Sequence, residues 1–180
     1  VEIFKSLNTD ILKTAAFTAI VIPPQEDIND RFAEVEHTDF AAKVYLMLGT
    51  IDIDLMGYYS EENPNRIGAD FAVNLREDIE VHGEFSYFTD QPKGTIVNNE
   101  LLQTEKEGYE YLFGVRWLNR WDMTIIAEYY HTDAGLTQNE FEDYISFLQR
   151  SLDSGDEQII RRSRSYMSEF NGRTLMQDYL

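Results

Sequence analysis

The sequence predicts an all-β fold, an antiparallel up-and-down transmembrane β-barrel segment of about seven to eight strands with a helical hairpin in one long loop. Three observations predict it. Apolar and polar residues alternate with a period of two over stretches of roughly ten residues, and a tilted strand needs about 9–11 residues to cross a bilayer. Aromatic residues gather at the ends of the apolar faces, where amphipathic rings favour the water–lipid boundary. Short turns alternate with long connections, as in barrels with short turns on one membrane side and long loops on the other.

Taken in order, Val1 to Phe4 reads as the tail of a strand and Lys5 to Asn8 as its turn. Thr9 to Ile22 is a strand with weak alternation, ended by Pro23-Pro24 because proline cannot donate to a sheet ladder. Gln25 to Phe40 is an acidic, solvated loop whose carboxylate spacing fits no EF-hand. Ala41 to Gly49 and Ile51 to Ser60 form the next strand pair around a turn at Thr50, and Glu61 to Asn65 is a turn.

The clearest units follow. Arg66 to Leu75 puts Ile67, Ala69, Phe71, Val73 and Leu75 on one face, against Arg66, Gly68, Asp70, Ala72 and Asn74. After the turn at Arg76-Glu77-Asp78, Ile79 to Phe88 sets Val81, Phe85 and Tyr87 against Glu80, His82 and Glu84. A polar loop is expected from Asp90 to Gly108. Tyr109 to Trp117 and Trp121 to Tyr130 then form a second hairpin around Leu118-Asn119-Arg120.

Beyond this the period changes. Thr137-Gln138-Asn139-Glu140 fits a capping box, and Phe141, Tyr144, Ile145, Leu148 and Leu152 follow at helical spacing. Gly155 ends that helix, and a second is expected from Glu157 to Phe170, with Gly172 after it. The chain is thus one β-barrel region over residues 1–180, part of a larger barrel, with a helical loop insertion at 137–172 that either enters the barrel mouth or packs on its rim.

Composition narrows the function classes. The net charge of −18 disfavours a nucleic-acid partner, because phosphate backbones need basic surfaces. The absence of cysteine removes disulfides, thiolate catalysis and Cys-ligated metals. No apolar run reaches the about 18 residues of a membrane helix, which leaves a barrel open. A start at Val1 and a stop at Leu180, just after a strand begins, read as a fragment of a longer mature protein.

Periodicity alone leaves open which face is inside. With lipid outside, the girdle consists of Tyr59, Tyr87, Tyr109, Trp117, Trp121 and Tyr129. The pore-lining set is then Asp52, Asp54, Asp70, Glu80, His82, Glu84, Glu110, Arg116, Asp122 and Glu128, with Arg66 beside it. Charged rings select ions by sign, so this acidic lining predicts a mild cation preference. Glu80, His82 and Glu84 share a strand face but span about 13 Å at about 3.3 Å per residue, too far for one ion to take all three. No metal and no cofactor is expected. Arg161-Arg162-Ser163-Arg164 is the densest basic cluster, suited to a constriction, to lipopolysaccharide phosphates, or to the solvated face of the second helix. No Gly-rich phosphate loop or His-ligand helix motif is present.

The repeated long strands, the aromatic strand ends and the exit AEYYHTDAG (Ala127 to Gly135) resemble Gram-negative outer-membrane porin-like barrels, over roughly Thr9 to His131. The resemblance implies a non-enzymatic outer-membrane channel passing small hydrophilic solutes or ions through an acidic lumen. Membrane lipid and lipopolysaccharide are its implied partners. Such porins often trimerise, so a homo-oligomer belongs among them, although no residue marks a trimer face. Two alternatives follow from the same strands. One is a soluble lipocalin-like barrel with the Phe71, Phe85 and Phe113 face turned inward around an apolar ligand. The other is a structural outer-membrane protein or a barrel enzyme with catalytic lumen carboxylates.

Overall fold

The computed structural model describes residues 1–7, 9, 11–23, 38–61, 63–98, 100–169 and 177–179. The strands are β1 (Glu2–Ser6), β2 (Leu12–Ile22), β3 (Asp39–Leu48), β4 (Ile51–Tyr59), β5 (Asn65–Arg76), β6 (Ile79–Val97), β7 (Glu100–Leu118), β8 (Thr124–Thr132) and β9 (Asp178–Tyr179). They form one nine-stranded sheet in sequence order, every neighbour antiparallel. This is the up-and-down antiparallel arrangement that alternation and short turns demand. Among the described residues β1 does not pair with β9, so the sheet is open and not a closed barrel.

The strand number agrees with the expected seven to eight plus partial strands at the ends, here β1 and the two-residue β9. Two expectations need correction. The segment from Asp90 to Gly108 is not a loop. β6 and β7 run through it as a long hairpin, with a register shift between Phe88 and Gln91 and left-handed Asp90 at the shift. Asn98, also left-handed, sits at the hairpin tip. Asn and Asp tolerate this conformation better than most residues, which lets the bulge and the turn form without glycine. The last full strand starts at Thr124, not Trp121, because the Asn119 carboxamide accepts from the backbone N–H groups of Trp121 and Met123 and holds them in a turn. The acidic residues 25–37 lie outside the described residues, while Asp39 and Phe40 open β3.

Helix α1 (Gln138–Asp153) follows β8, and α2 (Glu157–Glu169) follows α1. Thr137 caps α1 by accepting from the Glu140 N–H, and the Glu140 side chain accepts from the Thr137 N–H, completing the capping box. Phe170 and Gly172 lie outside the described residues, as do the side chains of Tyr166 and Met167. The buried apolar core is small and local. Phe88, Leu136, Tyr144 and Phe147 pack where α1 meets β6. Among the described residues the broad apolar sheet face has no such cover.

Candidate functional site

The register divides the sheet into two faces, with a polar group on the apolar side, where His131 stacks on Tyr111 and pairs with Asp178 of β9 at the sheet edge. One face carries Phe17, Val44, Leu55, Ile67, Phe71, Phe85, Tyr111, Phe113, Trp117 and Ile125, and these side chains are exposed or half-exposed, Ile67 at 63% and Phe113 at 53%. The other face carries all of the expected pore-lining residues except Asp122. Asp122 sits in the β7–β8 turn with φ 57° and contributes nothing to that face.

The polar face is organised in cross-strand rows. Tyr45, Asp54, Asp70, Glu84, Leu112 and Tyr130 occupy one row, from β3 to β8. The next row toward the β7–β8 turn carries Met47, Asp52, Ala72, His82, Gly114 and Glu128. Adjacent strands lie about 4.8 Å apart, so neighbours in a row meet side by side.

Most of the charges are paired along the wall. Glu80 and Arg116 are direct register partners, 2.7 Å apart. Arg66 reaches over β6 to Glu110 at 2.7 Å, donates to the Gln91 carboxamide, and stacks its guanidinium over the Phe88 ring. Lys43 lies 3.2 Å from Asp54, and the Tyr45 hydroxyl donates to Asp52. Glu110 also accepts from Thr132. His82 bonds Glu128 at 3.2 Å across β7, over Gly114, where a methyl group would collide with the His82 ring and the Glu128 side chain. The glycine is needed there for close approach rather than for a special dihedral angle.

Glu80 pairs with Arg116 and lies 3.7 Å from His82 Nδ1, His82 reaches on to Glu128, and Glu84 stands beside the Asp70 carboxylate. Among the described residues no group of three or more His, Asp or Glu side chains is placed to hold a metal ion. Lys43 and Tyr45 on this face were missed, although their alternation with Val44 and Leu46 was the signal, and Tyr58, which alternation puts on the polar side, was absent from the expected lining.

A cavity of about 430 Å³ lies on the polar face, lined by residues from β2 (Ile20) through to β8 (Tyr130). Side chains from strands that far apart share one cavity only if the sheet curls, so the polar face is concave and the apolar face convex.

The aromatic residues lie mainly on the convex face. Tyr87 and Tyr109 are register partners with ring centroids 5.3 Å apart, and Tyr59 opposes Phe40. Tyr129 opposes Phe113, two rows closer to the β7–β8 turn than the Tyr87–Tyr109 pair. Trp117 lies between Ile79 and Ile125, while Trp121 stands in the turn under the Arg120 guanidinium.

At the other end of the sheet the concave side is occupied. Lys93, on the β6 extension, has only 1% of its side chain exposed. It donates to the Gly135 carbonyl at 2.7 Å and to Glu140 at 2.9 Å. Burial alone would raise the Glu140 pKa, but the Lys93 and Thr137 hydrogen bonds outweigh it and hold the carboxyl below its ordinary value. One carboxylate thus caps α1 and ties it to the sheet. The arginines of α2 stay outside this core. Arg161 pairs with Glu157 one turn back, and Arg162 reaches Glu100 on β7. No family model, no curated protein and no solved structure matches this chain.

Proposed function

We propose that this sheet is the wall of an outer-membrane β-barrel channel, which passes small hydrophilic solutes or ions along its concave face. The observation that carries the reading is the inverted polarity: the charged face is concave, and the apolar face is convex and uncovered among the described residues. A soluble barrel requires the reverse, with the Phe71, Phe85 and Phe113 face closed over a ligand. Contiguous exposed apolar surface of this extent fits a lipid boundary. The strand lengths of β3, β4 and β8 match a tilted span, about 9–11 residues. Tyr59, Tyr87 and Tyr109 at one end of the convex face and Trp117 and Trp121 near the β7–β8 turn fit the two interfacial belts, while Tyr129 and Tyr111 lie between them.

The barrel chemistry is electrostatic rather than bond-making. Carboxylates outnumber cations on the concave face, so cations are favoured. Lipid and lipopolysaccharide cover the outer surface, and localisation to the outer membrane follows from the same reading. The test is to refold the protein into detergent, reconstitute it in a planar bilayer and measure conductance. Stepwise conductance with a reversal potential favouring cations is expected. A protein that is monomeric and soluble without detergent, and silent in the bilayer, overturns the proposal.

A further inference from the structure

The concave cavity has walls of a different character from the salt-bridged wall around it. Ile20, Met56, Leu112, Tyr58 and Tyr130 supply aliphatic and aromatic surface from four strands or more. Four charged side chains also line it, Lys43, Arg66, Glu84 and Glu110. The two cations are both spoken for within the wall, Lys43 by Asp54 and Arg66 by Glu110. Glu84 is exposed into the cavity, and no described side chain pairs with it. Its register neighbour toward β4 is Asp70, another carboxylate, so the local field stays negative.

We infer that this cavity binds small organic cations with an apolar body, primary aryl-alkyl amines in particular, with Glu84 as the counter-ion. The inference rests on the channel reading and names the class of solute the path retains. The volume of about 430 Å³ suits a ligand of one ring and a short ammonium arm. The ring takes the place of water against Met56, Leu112 and the tyrosine rings, and the ammonium makes a charge-assisted hydrogen bond to Glu84. An inorganic cation satisfies only the second requirement, and a neutral aromatic only the first.

The test is a calorimetric titration of the full chain, refolded in detergent micelles, with benzylammonium and separately with benzyl alcohol. Benzylammonium is expected to bind, benzyl alcohol to bind more weakly, and Glu84→Gln to weaken benzylammonium about tenfold, the effect of losing one charge-assisted contact. Glu84→Lys is a second variant and is expected to abolish binding. Equal affinity for benzylammonium in wild type and E84Q, or benzyl alcohol binding as tightly as the amine, overturns the inference. Planar-bilayer conductance measured on the same preparations separates the two readings. Specific amine binding without conductance upholds the site and removes the channel, while conductance with an E84Q-insensitive amine removes the site alone.

Discussion

Gly114 shows how much of the concave wall depends on one missing methyl group. His82 and Glu128 are 46 residues apart in sequence and lie on strands that do not touch each other. They meet only because the β7 position between them has no side chain. Gly114→Ala is expected to break the contact and to cost about 1–3 kcal/mol, the usual penalty of overpacking. A shift of the urea midpoint in micelles reads this, and the loss should shrink in a His82→Ala background, where the colliding ring is gone. Pairings of this kind were not legible in the sequence. The alternation places His82 and Glu128 on the same face, but which residues stand opposite depends on turn geometry, and the β7–β8 turn is lengthened by Asn119. Arg66 is a second example. Its partner Glu110 is two strands away, a distance that no strand-by-strand reading brings to light.

Among the elements, the β6–β7 extension and α1 stabilise each other. The extension is about 20 Å of two-stranded ribbon, and an isolated ribbon is marginal. Packing of Phe88, Tyr144 and Phe147 and the Lys93 hydrogen bonds hold it to the helix. Lys93→Ala is expected to destabilise this junction by about 2 kcal/mol, because a carbonyl and a carboxylate lose a donor. Faster proteolysis within residues 138–169 checks it. The pH dependence has a definite sign. The Glu140 pKa is lower folded than unfolded, so its contribution is present above its ordinary value of about 4.5 and is lost as pH falls through the folded value. Hydrogen-exchange protection in α1, taken relative to the intrinsic rate at each pH, should therefore fall on acidification below pH 4.5, and less so in Glu140→Gln. Helix α1 itself was legible, since the capping box and the apolar spacing both mark it. The extension was not, because Pro92, Gly94 and the charges around them read as loop. The hairpin signal was Thr95-Ile96-Val97 facing Leu101-Leu102 across Asn98-Asn99.

Over the whole molecule, the two faces make opposite demands on neighbouring residues. Phe113 and Leu112 are adjacent in β7, one on the convex face and one lining the cavity. Phe113→Arg is expected to cost about 2–4 kcal/mol of folding stability in a bilayer, as a cation facing lipid near mid-depth does. Leu112→Arg should be tolerated with little loss, since it faces water and the carboxylates. Folding titrations in lipid vesicles distinguish the two, and a soluble barrel would reverse their order. The distribution of faces was the most legible property of this chain, because a period of two survives wherever the backbone is extended. The curvature that makes one face the inside was not, since alternation is the same for either hand of the curl.

The meander also carries an arithmetic of direction. Each turn reverses the chain, so the odd-numbered strands all run one way, and β1 and β9 point the same way. Bringing these two edges together directly would make a parallel seam in an otherwise antiparallel wall. A ring with antiparallel neighbours throughout takes an odd number of further strands between them, and so always has an even total. Closure is therefore a question of parity before it is one of diameter.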